Sequence, residues 1–133
     1  MTDSFAREYV YDRAGRVVEI RPEAALTPIA EYEYNKASQR TRVDLEPGHS
    51  VEYTYDSYGR LDTITNRNAS ETVMSSFNYD YDLDGLRTKV TLADDDYIEY
   101  DYDDLNRLID EHKRDGTTQN TIWRRQYEYD KVG

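Results

Sequence analysis

Apolar and polar residues alternate along short segments of the chain, and tyrosine occupies most of the apolar positions. The clearest segments read Val-Glu-Tyr-Thr-Tyr from Val51, Phe-Asn-Tyr-Asp-Tyr from Phe77 and Ile-Glu-Tyr-Asp-Tyr from Ile98. Successive side chains of a β-strand point to opposite faces of a sheet. The spacing therefore predicts strands with tyrosine on one face and acidic or other polar residues on the opposite face.

This pattern belongs to a repeated unit that occurs six times, starting at Tyr9, Tyr32, Tyr53, Tyr79, Tyr100 and Tyr127. A fixed unit that returns along a chain indicates a repeat architecture. Each unit carries a second tyrosine two residues later, and these are Tyr11, Tyr34, Tyr55, Tyr81, Tyr102 and Tyr129.

A turn follows each tyrosine pair. An aspartate begins most of these turns, where its side chain can accept hydrogen bonds from nearby backbone N–H groups; the aspartates are Asp12, Asp56, Asp82, Asp103 and Asp130. Three residues later the backbone is expected to need a positive φ, which glycine tolerates best and asparagine next best. The residues at that position are Gly15, Gly59, Gly85 and Asn106, while Ser38 of the second unit fits less well.

A second strand rich in Val, Ile, Thr and Leu begins at the arginine after each turn, which predicts a β-hairpin per unit. The arginines are Arg16, Arg40, Arg60, Arg87 and Arg107. In the second and fourth units one residue, Gln39 or Leu86, precedes the arginine. We interpret it as an insertion that hints at a bulge and makes a pair of units the structural period.

Connections between units are of two kinds. Glu46–His49 and Asp94–Asp96 resemble tight reversals, whereas Arg21–Ala30, Asn66–Ser76 and Arg114–Arg125 are longer and polar. The predicted fold is all-β, an antiparallel meander of about eleven strands forming one array over residues 1–133.

Composition narrows the function. The formal net charge is −11, which disfavours a general nucleic-acid or anionic-membrane binder. Cysteine is absent and the two histidines are His49 and His112, so thiolate chemistry is excluded and a multi-histidine metal site nearly so. No motif for catalysis or for a cofactor is present, and both histidines are expected to be exposed. With 14 tyrosines among few aliphatic residues, the core is expected to be built largely of tyrosine.

The recurring Tyr-x-Tyr-Asp-x-x-Gly-Arg strings resemble the YD repeats of the Rhs family, which includes bacterial Rhs proteins, the C components of insecticidal toxin complexes and the teneurins. The resemblance runs from about Phe5 to Gly133. It implies a strip of β-hairpins that curves into a hollow shell, which in the bacterial members encloses a C-terminal toxic polypeptide. It also implies secretion or a cell-surface location, although no targeting signal occurs in this stretch.

Six repeats are fewer than a complete shell of this family needs, and the Pro-rich closing segment is missing. The sequence ends on the turn of a unit without its second strand. We therefore interpret the chain as a fragment whose open strand edges pair with the remaining repeats or with another copy.

Five groups of residues are candidates for function. The tyrosines are expected to be structural and the arginines to pair with neighbouring acids, rather than to bind cargo. Asp80, Asp82 and Asp84 with Gly85 resemble the start of a calcium loop, but position twelve is Thr91 instead of glutamate. The three acids Asp94–Asp96 are expected to form a solvated hairpin tip. Trp123, in the longest linker, is the most plausible partner contact.

Three hypotheses remain. The first is a non-catalytic segment of a shell that encapsulates or presents a polypeptide. The second is an adhesion or carbohydrate-binding module that uses the tyrosine face, and an exposed contiguous tyrosine patch would favour it. The third is an enzyme whose active site lies outside these residues.

Overall fold

The computed structural model describes residues 6–23 and 25–130, and every regular element within them is a β-strand. Phe5 and the sixth-unit turn residue Gly133 lie outside the described residues. The strands are β1 Arg7–Tyr11, β2 Val17–Pro22, β3 Ala30–Tyr34, β4 Arg40–Leu45, β5 His49–Tyr55, β6 Leu61–Arg67, β7 Val73–Tyr81, β8 Arg87–Leu92, β9 Tyr97–Tyr102, β10 Leu108–Arg114 and β11 Thr121–Gln126.

The eleven strands form one antiparallel sheet in chain order, β1 to β11, and the sheet does not close. The all-β meander predicted from the repeat is confirmed. Within the described ranges, no helix has the length and apolarity that a membrane span requires.

The two faces of the sheet differ as the alternation predicts. Across β7 and β8, Tyr79 pairs with Val90 and Asp80 with Lys89. On the next strand Val90 pairs with Ile98, so the apolar face continues into β9. Directly opposed residues share a face, which places tyrosine with Val and Ile and places aspartate with lysine.

Contact density divides the chain into two compact units, Met1–Thr54 with Ile64–Met74 and Tyr55–Thr63 with Ser75–Gly133. In the first unit Ala30 and Val43 are buried on the apolar face. On its polar face Arg42 pairs with Asp44 (2.7 Å) and Glu52 (2.8 Å). The Arg42–Glu52 pair holds β4 against β5.

The second compact unit, Tyr55–Thr63 with Ser75–Gly133, has its own small core of Val90 and Tyr97. Lys113, opposite Ile98 on the same face, bonds Asp96 from Nζ at 2.7 Å. The expectation of a core made largely of tyrosine is wrong, because Tyr97 lies outside the repeated motif and the other buried apolar residues are aliphatic. The motif tyrosines of β3, β5, β7 and β9 are half-buried, since a single sheet covers only one side of each ring.

The turns share one geometry. In the first, Asp12 Oδ1 accepts the N–H groups of Ala14 (2.8 Å) and Arg16 (3.0 Å), and Gly15 has a φ of 77°. Numbering these residues 1 to 5 makes Asp12 position 1 and Arg16 position 5. The same bonds occur in the turns that begin at Asn35, Asp56, Asp82 and Asp103. A positive φ at position 4 is confirmed for Gly15, Ser38, Gly59, Gly85 and Asn106.

The interpretation of Gln39 and Leu86 as insertions is wrong. Both occupy position 5 of turns of the same length, so the arginine of even units has moved to position 6. A register shift lies beside the turn in odd and even units alike, between Val10 and Tyr11 and between Asp80 and Tyr81, for example. The bulge therefore belongs to the common hairpin rather than to the extra residue.

The linker Asn66–Ser76 is shorter than expected, because β6 and β7 extend into it. Asn68 Oδ1 accepts the N–H groups of Ser70 and Thr72, both at 3.0 Å, and Glu71 at position 4 has a φ of 59°. This is the same five-residue turn at the other end of the hairpins. Its sequence signal, an asparagine without the later glycine, was missed.

The other two long linkers are also shorter in the structure than the sequence predicts. Residues 23–29 join β2 to β3, and residues 115–120 join β10 to β11. Trp123 therefore lies within β11 opposite Lys113, which corrects its assignment to a linker. The tight reversals at residues 46–48 and 93–96 are confirmed.

Gly15→Ala is expected to lower the free energy of unfolding by about 1 kcal/mol, because an L-residue with a Cβ is strained at positive φ. An added Cβ at Gly15 would meet no atom within 4 Å, so the loss isolates backbone strain from steric overlap. Urea denaturation measures it. Gly15→Asn is the matched control and should retain nearly full stability, since Asn106 adopts the same conformation. Equal stability of the alanine and wild-type chains would contradict the assignment.

Candidate functional site

The arginine at turn position 5 closes the turn onto its own aspartate. Arg16, Arg60 and Arg107 donate from Nε to the Oδ2 atoms of Asp12, Asp56 and Asp103 at 2.7, 2.7 and 2.8 Å. The expected pairing of arginines with nearby acids is confirmed for these three. Each aspartate thereby uses one oxygen for the backbone and the other for the guanidinium.

These bonds explain the charge state of the turn acids. The pKa of Asp12 lies below its usual value, chiefly because the backbone N–H of Arg16 and then its side chain donate to the carboxylate. The pKa of Asp103 is lowered in the same way by Arg107. Hydrogen bonds to the charged form stabilise it, so the carboxylates stay ionised and paired at neutral pH.

The same arginines reach the next unit along the chain. Their guanidinium groups lie 4.5–4.7 Å from the ring centroids of the second tyrosine there, in the pairs Arg16–Tyr34, Arg60–Tyr81 and Arg107–Tyr129. Arg60 Nη1 also donates to the Asp82 carbonyl at 3.2 Å, and Arg16 Nη1 to the Asn35 carbonyl at 3.3 Å. A cation over an aromatic face is attracted to it, so each arginine joins an odd unit to the even unit that follows.

The second tyrosine provides a further link between hairpins. Its hydroxyl donates to the backbone carbonyl at position 6 of the preceding unit, in the pairs Tyr34–Val17 (2.8 Å), Tyr81–Leu61 (2.7 Å), Tyr102–Arg87 (2.8 Å) and Tyr129–Leu108 (2.7 Å). We call this bond the tyrosine tether. Burial raises the pKa of Tyr81 and of Tyr102, so the donating hydroxyl form is favoured.

Arginine at position 6 behaves differently. Arg40 lies over the Tyr32 ring at 5.0 Å, and Arg87 lies over Tyr79 at 5.5 Å and Tyr100 at 5.2 Å. The one-residue shift moves these arginines away from the turn aspartate and onto the rings of first tyrosines. Even-unit arginines therefore cover the first tyrosine, and odd-unit arginines cover the second.

The sequence pattern did not predict a groove that lies between the turn tips of the third and fourth repeat units. It has a volume of about 350 Å³ and is lined by Tyr58, Arg60, Tyr81 and Leu83, among others. Arg60 lies 5.1 Å from the Tyr58 ring, and Tyr58 itself is 82% exposed. Tyr58 stands at turn position 3, outside the repeated motif.

Calcium ligation by the Asp80–Gly85 segment gains no support from the geometry. Asp82 Oδ1 is already bonded to the N–H groups of Asp84 (3.0 Å) and Leu86 (2.8 Å). Asp80 faces Lys89 across the strands. Asp94 and Asp95 are exposed at a hairpin tip, as expected.

The histidines differ from each other. His49 is exposed at the start of β5, as predicted. His112 is not: its side chain is 13% exposed within β10, and Nε2 lies 2.9 Å from Glu99 Oε2. Strand β10 continues to Arg114, so His112 lies inside the sheet and not at a strand end.

Comparison with known proteins gives structural matches alone: no family model and no curated protein sequence matches the chain. A crystal structure of TcdB2-TccC3 superposes with a TM-score of 0.75 at 22% identity, and one of TcdB2-TccC3-Cdc42 with 0.75 at 21%. Each match covers 93% of this chain and 8% of the other. The Photorhabdus luminescens Tc holotoxin pore, carrying the TccC3 mutation D651A, matches with a TM-score of 0.54 at 16% identity.

The chain spans about 8% of the length of the chains it matches. Identities below 25% establish a shared fold. They do not transfer the activity of the whole proteins to this chain. The meander of hairpins closed by Asp–Arg turns and joined by tyrosine tethers thus shares its fold with a part of the chains in the TcdB2-TccC3 structures, which agrees with the resemblance of its repeats to those of the Rhs family.

Proposed function

We propose that this chain is a non-catalytic wall segment of a YD-repeat shell that encloses or presents another polypeptide. The observation that carries the proposal is the tyrosine tether, which joins the second, fourth, fifth and sixth repeat units to the unit before each of them. Such bonds make a continuous sheet from a repeated unit. The match to toxin-complex chains over 93% of the length supports the same role.

The use of the tyrosines weighs against the adhesion or carbohydrate-binding alternative. A sugar platform needs free ring faces and free hydroxyl groups. In Tyr34, Tyr81 and Tyr129 the hydroxyl bonds a carbonyl and the ring carries a guanidinium. The ring and the hydroxyl group of the second tyrosine in these units therefore already contact other residues of the sheet, and the structural role is favoured.

The proposed partners are further strands of the same protein or another copy, and an enclosed polypeptide. Strands β1 and β11 end the sheet and each has one hydrogen-bonded neighbour among the described strands. Unpaired strand edges are templates for further pairing. A shell with this role would act outside the producing cell, by secretion or at its surface.

Light scattering after size-exclusion chromatography, over a wide concentration range, tests the proposal. We expect the mass to rise with concentration through edge pairing. The N–H of Tyr127 bonds the Ile109 carbonyl at 2.9 Å, so by alternation the N–H of Gln126 points away from β10. Gln126→Pro removes that outward donor and should reduce association, because proline cannot donate to a ladder.

Gln126→Ala is the matched control, since it shortens the same exposed side chain but keeps the N–H. It should associate like the wild-type chain. A monomer at all concentrations, or equal association of the proline and alanine variants, would contradict pairing through β11 and favour a self-contained binding module.

A further inference from the structure

The polar face of the second compact unit brings two carboxylates and an imidazole together between β9 and β10. Asp101 and Asp110 are direct cross-strand partners. Together with His112 they offer ligand atoms that all lie within 4.8 Å of one another. Like charges directly opposed on neighbouring strands destabilise a sheet, so the pair calls for a positive counterpart.

His112 has a nitrogen that the protein leaves without a partner. Nε2 of His112 has two polar neighbours, the Glu99 carboxylate at 2.9 Å, which can only accept, and Arg114 Nη2 at 3.1 Å, which can only donate. Arg114 already donates from Nε to the same Glu99 oxygen, so we assign the shorter contact as the hydrogen bond and place the proton on Nε2. Nδ1 is then a buried lone pair with no hydrogen-bond donor. The nearest carboxylate oxygen, Asp110 Oδ1, lies 3.8 Å away, too far for a hydrogen bond to a protonated Nδ1.

This arrangement is the one that metal-binding histidines use. A carboxylate that accepts from one ring nitrogen fixes the tautomer and turns the other nitrogen toward the ion. Here Glu99 Oε2 holds the imidazole ring. Arg114 Nε donates to the same Oε2 atom at 2.8 Å and keeps the carboxylate in place. An uncommitted lone pair beside two carboxylates suits a borderline-soft divalent cation such as Zn²⁺.

We propose that Asp101, Asp110 and His112 Nδ1 form a binding site for a divalent transition-metal ion of the zinc class. The cavity beside them has a volume of about 180 Å³ and is also lined by Thr121, Arg114 and Arg124, which leaves room for water as a fourth ligand. Three ligands around a tetrahedral zinc ion lie about 3.3 Å apart. Asp101 is exposed, so its side chain can rotate to close that distance.

Arg124 is the competitor for this site. Its guanidinium bonds both oxygens of Asp110 from the neighbouring strand β11. The Arg124 side chain is 56% exposed, whereas that of Asp110 is 9% exposed, so the arginine is the partner that can move into solvent. Metal binding exchanges one cationic partner of Asp110 for another, and removal of Arg124 should therefore strengthen it.

Calorimetric titration of the metal-free chain with ZnCl₂ tests the proposal, and the absorption spectrum with Co²⁺ reports ligand geometry. We expect one ion per chain. Asp101→Asn and His112→Gln should weaken binding by about tenfold or more. Asp101 is exposed, so its variant tests the site even if the His112 variant unfolds. Arg124→Gln should bind more tightly than the wild-type chain.

Two matched controls separate this site from general binding by an acidic protein. His49→Gln removes the other histidine, and Asp104→Asn removes an exposed turn carboxylate. Both should bind as the wild-type chain does. Absence of saturable binding, a loss caused by His49→Gln, or unchanged affinity in Asp101→Asn would overturn the proposal, as would weaker binding by Arg124→Gln.

Discussion

Replacing Arg60 by alanine is expected to lower the free energy of unfolding by about 2 kcal/mol, the larger part from the Asp56 bond and the rest from the ring contacts. Arg60 bonds Asp56 at 2.7 Å and the Asp82 carbonyl at 3.2 Å, and it lies over Tyr58 and Tyr81. One side chain thus closes its own turn and holds the next. Urea denaturation followed by circular dichroism measures the loss.

Two further variants test this explanation. Arg60→Lys keeps the charge but loses the planar fork, so its stability should fall between those of the wild-type and alanine chains. Arg13 is also a turn arginine but is exposed, and Arg13→Ala should leave stability unchanged. Equal losses in Arg13→Ala and Arg60→Ala would show that net charge, and not the contacts of Arg60, sets the effect.

Removal of a tyrosine tether is the second large effect. Tyr81→Phe deletes the hydroxyl that bonds the Leu61 carbonyl at 2.7 Å and should cost about 1 kcal/mol. Tyr81→Ala also removes the ring beneath Arg60 and should cost about 3 kcal/mol. Thermal and urea unfolding of the two variants separates the hydroxyl from the ring.

Tyr58→Phe is the matched control for the hydroxyl, because Tyr58 is 82% exposed and lies in the same part of the chain. Its stability should equal that of the wild-type chain. A Tyr81→Phe variant as stable as Tyr58→Phe would mean that the tether bond contributes nothing, and the joining role assigned to the second tyrosine would fail.

The repeat made most of the fold predictable from the sequence. Alternation of Tyr79 and Asp80 placed tyrosine and acid on opposite faces, and the register of β7 with β8 agrees. Gly15 and Asn106 marked the positive-φ position correctly, because few residues tolerate that conformation. Local chemistry determines both features, so a single unit suffices to read them.

Other features depend on neighbours that a linear pattern does not show. The turn at Asn68 lacks glycine, and Glu71 adopts the strained conformation within a well-bonded loop. His112 is held by Glu99 on another strand. The position of Arg87 over Tyr100 likewise joins two units. Such contacts follow from strand pairing, which is known only once the register is known.

The arginine shift shows how one residue changes the connection between units. At position 5, Arg16 bonds Asp12 and reaches Tyr34 of the next unit. At position 6, Arg40 instead covers Tyr32 of its own unit. Odd-unit arginines thus reach the second tyrosine of the next unit and even-unit arginines cover first tyrosines, which gives the alternation in the sequence a physical meaning.

Amide hydrogen exchange at low and high protein concentration tests most directly the claim that this chain is a wall segment with pairing edges. The amides of Arg124 and Gln126 in β11 should exchange fast when dilute and become protected when concentrated, while those of the exposed turn tips at Leu83 and Asp104 stay fast. Protection that does not change with concentration, or that increases only at the turn tips, would contradict the account.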